Sequence, residues 1–334
     1  MLFYTHKIGS NIIRFPELSA RECFLGFFVC GKIKQQALSF MTKIKTTLLI
    51  IFILILGFVI LVNLDRGKDE EKTSWEIVRE ADIAEVSDGW REPVWLEVNT
   101  SNWEDSAYIS GDGNTLYFAY YPGDLIADLI TREFKDDIDV YKSQKPFTTK
   151  NKYQISEDIW SEAGVMISNR DVYYMSNRKI GDERINDNIY RNGVRLSFNT
   201  EEDEEDPHYC KQKDELYFWK KESIDGEKIY VYKNNEVRRL PSPINDSSGN
   251  DIQPFLTKDC QTMYFTSDRE DVYKIYKSER LGENEWSEPV KVISSKNGVG
   301  EPTLTDDEKL LFFVQLFVKD NGERNLDIMY TERE

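Results

Sequence analysis

The chain has 334 residues, of which 40% are hydrophobic and 13% aromatic, and a formal net charge of −17. This is a globular composition with enough apolar material for a sizeable core, and its aromatic richness favours strands. All but two of the 60 acidic residues follow residue 45, so that part of the chain repels phosphate backbones, and nucleic acid is excluded as a partner.

The first predicted segment is a basic leader. Residues 1–45 carry seven basic and two acidic side chains, which assigns them to the cytoplasm by the positive-inside rule. Met41 is an alternative start, because the stretch from Met41 to Lys45 followed by an apolar run forms a compact export leader.

An apolar run predicts one transmembrane helix over residues 46–64. Its uninterrupted core extends from Leu48 to Val62, and the whole segment reaches the ~20 residues that a spanning helix needs. The signal-anchor orientation places the rest of the chain on the periplasmic or extracellular side. A cleaved secretory signal is the alternative, although no small-x-small cleavage site follows the run. Residues 65–88 are charged and polar and are predicted to form a stalk.

One sequence pattern recurs five times after residue 89. Each copy contains an acid, a short strand, a turn rich in Asp, Gly or Lys, and an apolar-aromatic strand. The copies are residues 104–118, 162–174, 206–218, 251–265 and 301–313. Their closing aromatic residues lie 44 to 56 positions apart, the period of four-stranded propeller blades. A third strand containing a tyrosine follows each copy, as at Tyr190 and Tyr276.

The ends of the repeat predict circular closure. The fifth copy stops at Glu334, after its third strand, while the segment from Trp90 to Val98 matches the fourth-strand pattern that begins at Trp286. The N-terminal segment is therefore expected to complete the last blade, which pairs an otherwise exposed sheet edge. We predict an all-β fold over residues 89–334, a five-bladed β-propeller with circular (Velcro) closure preceded by the transmembrane helix.

The blade pattern resembles the TolB-type, WD-repeat-like propeller repeats. Their motif runs acid-Pro-x-Leu-Ser-x-Asp-Gly-Lys-x-Leu-Tyr-Phe, followed by Asp-Ile-Tyr. The resemblance covers residues 90–334 and implies a propeller fold without indicating a ligand. Proline is absent from the first two copies, and the Asp-Gly turn is kept only at Asp112-Gly113. Residues 110–115 also resemble the Asp-box of sialidase-like propellers, but a tight hairpin turn explains them better.

Four cysteines show no metal-ligand spacing. Cys23 and Cys30 precede the apolar run, whereas Cys210 and Cys260 fall at non-equivalent positions of different repeats. This distribution favours buried free thiols over a disulfide framework.

An acid opens the first strand of every copy, and the first strands of a propeller line its channel. These acids are Asp105 (or Glu104), Glu162, Asp206, Asp251 and Glu301. Together they would form a negative ring at the channel mouth that attracts a cationic group or a metal ion, with Ca²⁺ as the candidate; no other cofactor is expected. The structural alternative is that they accept hydrogen bonds from backbone N–H groups between blades.

Three further residues are candidates for ligand binding. His208 is the one histidine outside the leader and falls on a channel strand, with simple packing as the alternative. Trp103 and Trp160 precede channel strands, where an exposed indole offers a stacking platform.

These features predict a membrane-anchored extracytoplasmic module that binds or scaffolds a protein, peptide or glycan ligand. The alternative is a carbohydrate-active enzyme similar to glycoside hydrolases, with two channel carboxylates as catalytic groups. The sequence favours binding, because repeat-borne acids need no catalytic explanation. It also contains no Gly-x-Ser-x-Gly elbow, P-loop or dinucleotide fingerprint.

Overall fold

The computed structural model describes residues 74–131, 136–157, 159–178 and 186–334. The predicted leader (1–45), its alternative start at Met41, the transmembrane segment (46–64) and the first part of the stalk lie outside these residues. Within the described part, no helix has the length and apolar character required to cross a membrane. Its helices are the short α1 (Ser74–Ala81) and α2 (Leu125–Thr131), and strands dominate the remainder. The predicted all-β class is confirmed.

The strands follow one another as repeated antiparallel units. Two short strands come first, β1 (Glu85–Val86) and β2 (Val94–Trp95). Unit one contains β3 (Trp103–Ile109), β4 (Thr115–Tyr121), β5 (Asp139–Gln144) and β6 (Asn151–Lys152). Unit two contains β7 (Glu162–Ser168), β8 (Asp171–Ser176), β9 (Asn188–Arg191) and β10 (Val194–Arg195). Unit three contains β11 (Glu204–Cys210), β12 (Glu215–Glu222), β13 (Gly226–Lys233) and β14 (Glu236–Arg239). Unit four contains β15 (Asp251–Leu256), β16 (Thr262–Ser267), β17 (Lys274–Glu279) and β18 (Val290–Ser294). Unit five contains β19 (Val299–Leu304), β20 (Leu310–Val318) and β21 (Arg324–Glu332).

Within each unit the strands pair with their neighbours in chain order. The N-terminal segment adds strands to the last two units, since β1 pairs with β18 and β2 pairs with β21. The first strand of each unit contacts the first strand of the next unit, and β19 contacts β3. These contacts link the five first strands in a cycle, and the region between these strands is called the axis below.

The segment around Pro93 lies beside the last strand, as the fourth-strand pattern predicted. Val94 pairs with Tyr330 and Trp95 with Met329. The backbone N–H of Arg91 also donates to the carbonyl of Glu332 at 2.9 Å. A strand from one end of the chain thus covers the edge that the other end would leave unpaired.

The repeated aromatic residues pack in pairs across the second and third strands. In four units the closing aromatic residue lies directly opposite the third-strand tyrosine, and the two rings stack with centroids 5.6 to 6.3 Å apart. These pairs are Phe118–Tyr141, Tyr174–Tyr190, Phe218–Tyr230 and Phe265–Tyr276. In unit five the register differs by one residue, because Tyr330 opposes Phe312 and not Phe313. Such pairs each add about 0.5–1.5 kcal/mol beyond area burial.

The resemblance to an Asp-box at residues 110–115 is explained by a hairpin turn. The carboxylate of Asp112 accepts the hydroxyl of Ser110 at 2.6 Å and the backbone N–H of Asn114 at 3.0 Å. Asp259 and Asp307 make the equivalent bonds in units four and five. The motif stabilises the turn between the first and second strands.

Part of the predicted stalk is instead folded against the units. The guanidinium of Arg79 in α1 donates to Asp327 at 2.6 Å and to the carbonyl of Thr100 at 3.1 Å, and lies 4.3 Å from the ring centroid of Trp95. The prediction of a stalk therefore fails for residues 74–88. Composition alone described this segment as a solvated linker, because the partners of Arg79 lie about 20 and 250 residues away.

The expectation of free thiols at Cys210 and Cys260 is wrong. Their sulfur atoms are bonded at 2.03 Å, with Cα atoms 5.9 Å apart. Cys210 ends β11, whereas Cys260 lies in the turn that follows β15. Contact between neighbouring first strands brings these non-equivalent positions together, which their spacing in the sequence does not show. Cys23 and Cys30 lie outside the described residues.

The substitution Arg79→Met tests the N-terminal anchor. It preserves an aliphatic side chain but leaves the fully buried Asp327 without its cation, so we expect a loss of about 3 kcal/mol in the free energy of unfolding at pH 8. Burial already raises the pKa of Asp327 to about 6. The loss should therefore shrink at pH 5, where the carboxyl group is protonated in both proteins. Urea unfolding at the two pH values measures both effects.

Arg91→Met is the matched control, because it removes an exposed ion pair with Glu332. Equal losses of unfolding free energy in the two variants would show that the buried pair stabilises the protein no more than the exposed pair.

Candidate functional site

Every first strand contains a β-bulge at the same position. In each, one residue adopts a positive φ between 48° and 58° while the pairing with the second strand shifts. These residues are Ser106, Gly164, Asp206, Gln253 and Glu301. A left-handed conformation is unfavourable for glutamine and glutamate, and bulges are common near functional sites, where they redirect side chains.

The bulges surround a narrow passage that lies beside two larger cavities. The passage has a volume of about 40 Å³ and is lined by all five first strands. Near the start of β3, β7 and β11 lies a cavity of about 460 Å³, the acidic cavity, which shares Ser106 with the lining of the passage. Its lining also includes Asp105, Asp187, Asp203, Glu205 and Glu227. At the other end of the first strands lies a cavity of about 600 Å³, the opposite cavity, which shares Tyr108, Met166, His208 and Phe255 with the passage.

Four buried acids open first strands and make structural contacts. Each accepts a hydrogen bond from a backbone N–H of the preceding loop, at 2.7 to 3.2 Å, and each pairs with a basic side chain. These acids and their partners are Glu104 with Lys150, Glu162 with Arg178, Glu204 with Lys220, and Asp251 with Lys228 and Arg269. Glu162 and Asp251 therefore make backbone contacts of the kind that the structural alternative describes. Burial still raises the pKa of Glu162 to about 7 against these contacts.

A second group of acids follows one or two residues later and faces the axis. Asp105 and Glu205 line the acidic cavity, while Asp206 and Glu301 stand at the bulges and line the passage. The predicted ring of equivalent acids therefore mixes three positions of the strand. Sequence spacing could not separate them, because the bulge changes which residues face the axis.

The carboxylate of Asp206 has only one of its oxygens satisfied. Its Oδ2 accepts the indole N–H of Trp219 at 2.7 Å, whereas its Oδ1 is buried without a hydrogen-bond donor. Gly164 of the neighbouring strand makes room for it, since a Cβ there would lie 2.8 Å from Oδ1. Asp105 differs, because both of its oxygens accept hydrogen bonds, from the indole N–H of Trp103 at 3.3 Å and the backbone N–H of Ser106 at 2.8 Å.

Burial and mutual repulsion raise the pKa values of these acids. The pKa of Asp206 is raised to about 7, chiefly by burial and further by Asp105 and Asp187. Burial, followed by neighbouring carboxylates, holds the pKa values of Glu205 and Glu301 well above their usual range. The pKa of Asp187 rises to about 6 through burial and the charge of Asp203. The group therefore shares protons near neutral pH.

The run of acids at residues 201–206 belongs only partly to a loop. Glu204, Glu205 and Asp206 lie on β11, where the first is structural and the other two face the axis. Sequence analysis also missed Asp187 and Trp219, which come from other strands and loops. Neither residue stands out in the sequence, because acidic and aromatic residues recur throughout the repeat.

The two tryptophans selected from the sequence are not exposed platforms. Trp103 is only 6% exposed, although its edge borders the acidic cavity. Trp160 is half-buried and does not line any of the three cavities among the described residues. Trp103 packs into a hydrophobic cluster with residues of distant strands, which a single sequence does not reveal.

His208 packs between the passage and the opposite cavity. It is 7% exposed, its ring lies 4.5 Å from that of Phe255, and burial lowers its pKa to about 3. The side chain is therefore neutral and mainly fills space, the alternative considered from the sequence. In the described ranges, no three or more histidine, cysteine or acidic side chains are grouped as metal ligands would be.

Comparison with known proteins identifies no family. No family model matches the chain, and no curated protein matches it. Among solved structures, TolB from Acinetobacter baumannii is 14% identical with a TM-score of 0.42, over 70% of this chain and 55% of that one. A thermostable family-43 glycoside hydrolase is 16% identical with a TM-score of 0.43, over 67% of this chain and 88% of that one. The chain thus spans about half the length of that TolB, and these similarities concern the fold alone.

The substitution Asp206→Asn tests the repulsion among the axis-facing acids. Asparagine tolerates the positive φ and still accepts from Trp219. Because the folded-state pKa is raised, wild-type protein loses stability as pH rises from about 4 to about 7, and the variant avoids this loss. We expect the variant to be more stable at pH 8, by up to about 4 kcal/mol, with little difference at pH 4. Urea titrations across this range measure the difference.

Asp307→Asn is the control, because hydrogen bonds from Thr305 and Lys309 lower the pKa of Asp307. It should change stability in the opposite direction. A loss of stability in both variants would argue against repulsion at Asp206.

Proposed function

We propose that residues 89–334 are a five-bladed β-propeller that acts as a ligand-binding module. The closed cycle of contacts among the first strands and the pairing of β2 with β21 support this architecture. Each antiparallel unit corresponds to one blade, and the narrow passage to the central channel.

The module acts outside the cytoplasm, anchored by residues 46–64. The charge asymmetry around the apolar run supports this orientation. The Cys210–Cys260 disulfide supports it independently, because such bonds persist in oxidising compartments and are rare in the cytosol.

The acidic cavity is the binding site for a protein, peptide or glycan ligand. This proposal rests on a difference in ion pairing between the two groups of acids. Acids that open the strands have basic partners, whereas no ion pair within the described residues reaches Asp105, Glu205, Asp206 or Glu301. Unpaired buried carboxylates cost stability, and such costs are characteristic of binding sites.

A panning experiment tests the site. Purified protein is used to select from a random peptide library and a glycan array. Selected ligands should be lost with the double variant Asp105→Asn/Glu205→Gln, which removes two charges from the acidic cavity. They should be retained by Asp112→Asn/Asp306→Asn, which removes two charges from the opposite cavity. Ligands that respond only to the second pair would refute the assignment.

Glycoside hydrolysis is the second candidate, and the protonation of Asp206 favours it. A carboxyl group with a pKa of about 7 keeps its proton near neutrality, as a general acid must. Asp105 and Glu205 are candidates for the second carboxylate. Glu162 and Asp251 are unsuitable, since their oxygens are occupied by structural contacts.

A panel of chromogenic aryl glycosides separates the two functions. We expect the wild type to show no more turnover than Asp206→Asn, because the protein binds and does not hydrolyse its ligand. Hydrolysis by the wild type that is lost in this variant would refute the binding proposal and show that the protein is a glycosidase.

A further inference from the structure

The described residues give the acidic cavity little positive charge. Among the described residues that line it, Lys221 is the single basic side chain, and it is exposed to solvent. Arg178, near the wall, is engaged by Glu157 and Glu162. The chain thus leaves the axis-facing carboxylates without a counter-charge from the described residues.

Buried carboxylate oxygens in the passage, whose lining shares Ser106 with the acidic cavity, are available for a ligand. Glu301 is only 8% exposed, and its one hydrogen bond comes from the amide of Gln253. Oδ1 of Asp206 is buried and has no donor. Buried polar atoms are normally satisfied, so an unsatisfied carboxylate oxygen in the passage beside a cavity points to a donor from outside.

The acidic cavity is also lined by apolar and aromatic side chains. Leu125, Ile138, Ala163 and Met175 contribute apolar surface, and Trp103 and Tyr120 contribute aromatic surface. A site that combines such apolar surface with several lining carboxylates suits a ligand with an aliphatic stem and a charged end. Aromatic faces also attract ammonium and guanidinium groups.

We propose that the acidic cavity binds a primary ammonium or guanidinium group on an aliphatic stem, as presented by a lysine or arginine side chain of a peptide or protein ligand. This inference rests on the proposed function and names the chemical class of its ligand. The cation lies among the carboxylates that line the cavity, Asp105 and Glu205, beside Asp206 and Glu301 of the passage, while its stem packs against the apolar walls.

Binding is coupled to proton release. Asp206 faces Asp105 on β3, Asp187 ahead of β9 and Trp219 on β12, and none of these supplies a positive charge. Below about pH 6 the carboxyl groups retain protons and attract a cation weakly. A bound cation favours their ionised forms, so affinity rises with pH and falls with salt concentration.

Calorimetry with capped tripeptides measures the preference. The full protein is titrated with Ala-Lys-Ala, Ala-Arg-Ala and the neutral norleucine analogue, at pH 5.5 and pH 8. We expect the basic peptides to bind at pH 8, at least about tenfold more weakly at pH 5.5, and the norleucine peptide not to bind. Titration in two buffers of different ionisation enthalpy should show proton release at pH 7. Equal binding of the lysine and norleucine peptides would overturn the inference.

Cadaverine is a further probe, because it has the same head group and stem without a peptide. Weaker binding than that of the lysine peptide supports a peptide side chain as the source of the cation, and tighter binding supports a free amine.

A lysine introduced into the cavity provides an internal test. Met175 lines the cavity and is half-buried, so the side chain of Met175→Lys can reach the carboxylates. We expect a higher Tm at pH 8 and loss of lysine-peptide binding, whereas the neutral control Met175→Gln should show neither. If both variants lower Tm equally, the cavity does not favour a cation.

These outcomes can be distinguished from failure of the proposed function. Panned ligands that depend on Asp105 and Glu205 but contain no required basic group would refute the cationic class and leave the binding site intact. Panned ligands that are insensitive to the acidic cavity would refute the binding site itself.

Discussion

The contact between a buried carboxylate and a loop N–H organises this molecule. In four units an acid at the start of the first strand accepts from the backbone of the preceding loop and pairs with a lysine or arginine. The basic partner and the hydrogen bonds offset the desolvation of the acid. Each contact fixes a loop to the start of a first strand, at the same end of the axis. It therefore also fixes the direction in which the next side chains of that strand point.

The bulge one or two residues later gives a second set of acids a different role. It turns Asp206 and Glu301 toward the axis, where neither meets a basic side chain in the part of the chain that the structure describes. Similar residues on the same strand therefore have opposite energetic effects. The paired acids stabilise the unit, whereas the unpaired acids repel one another and leave a hydrogen-bonding capacity that suits a cationic partner. Stability is reduced where binding is proposed.

The N-terminal segment links the acidic end of the axis to the edges of two units. Arg79 connects α1 to β21 and to the loop before β3, while β1 and β2 extend units four and five. Except for the bond from Arg79 to Thr100, these contacts join residues more than 200 positions apart. They hold the segment from Arg79 to Trp95 against the last two units, so the edges that these units would otherwise expose are covered.

The sequence by itself determined the all-β class, the period of the repeat, the position of the hairpin turns and the strand that joins the two ends of the chain. These features depend on local patterns such as Asp112 in its turn and Phe118 opposite Tyr141, which neighbouring residues establish. Only the tertiary structure decided which acids are structural and which face the axis, because a bulge and a distant basic residue make that difference. It also decided the Cys210–Cys260 bond, the folding of residues 74–88 and the burial of Trp103, since each depends on contacts between units that are far apart in the chain.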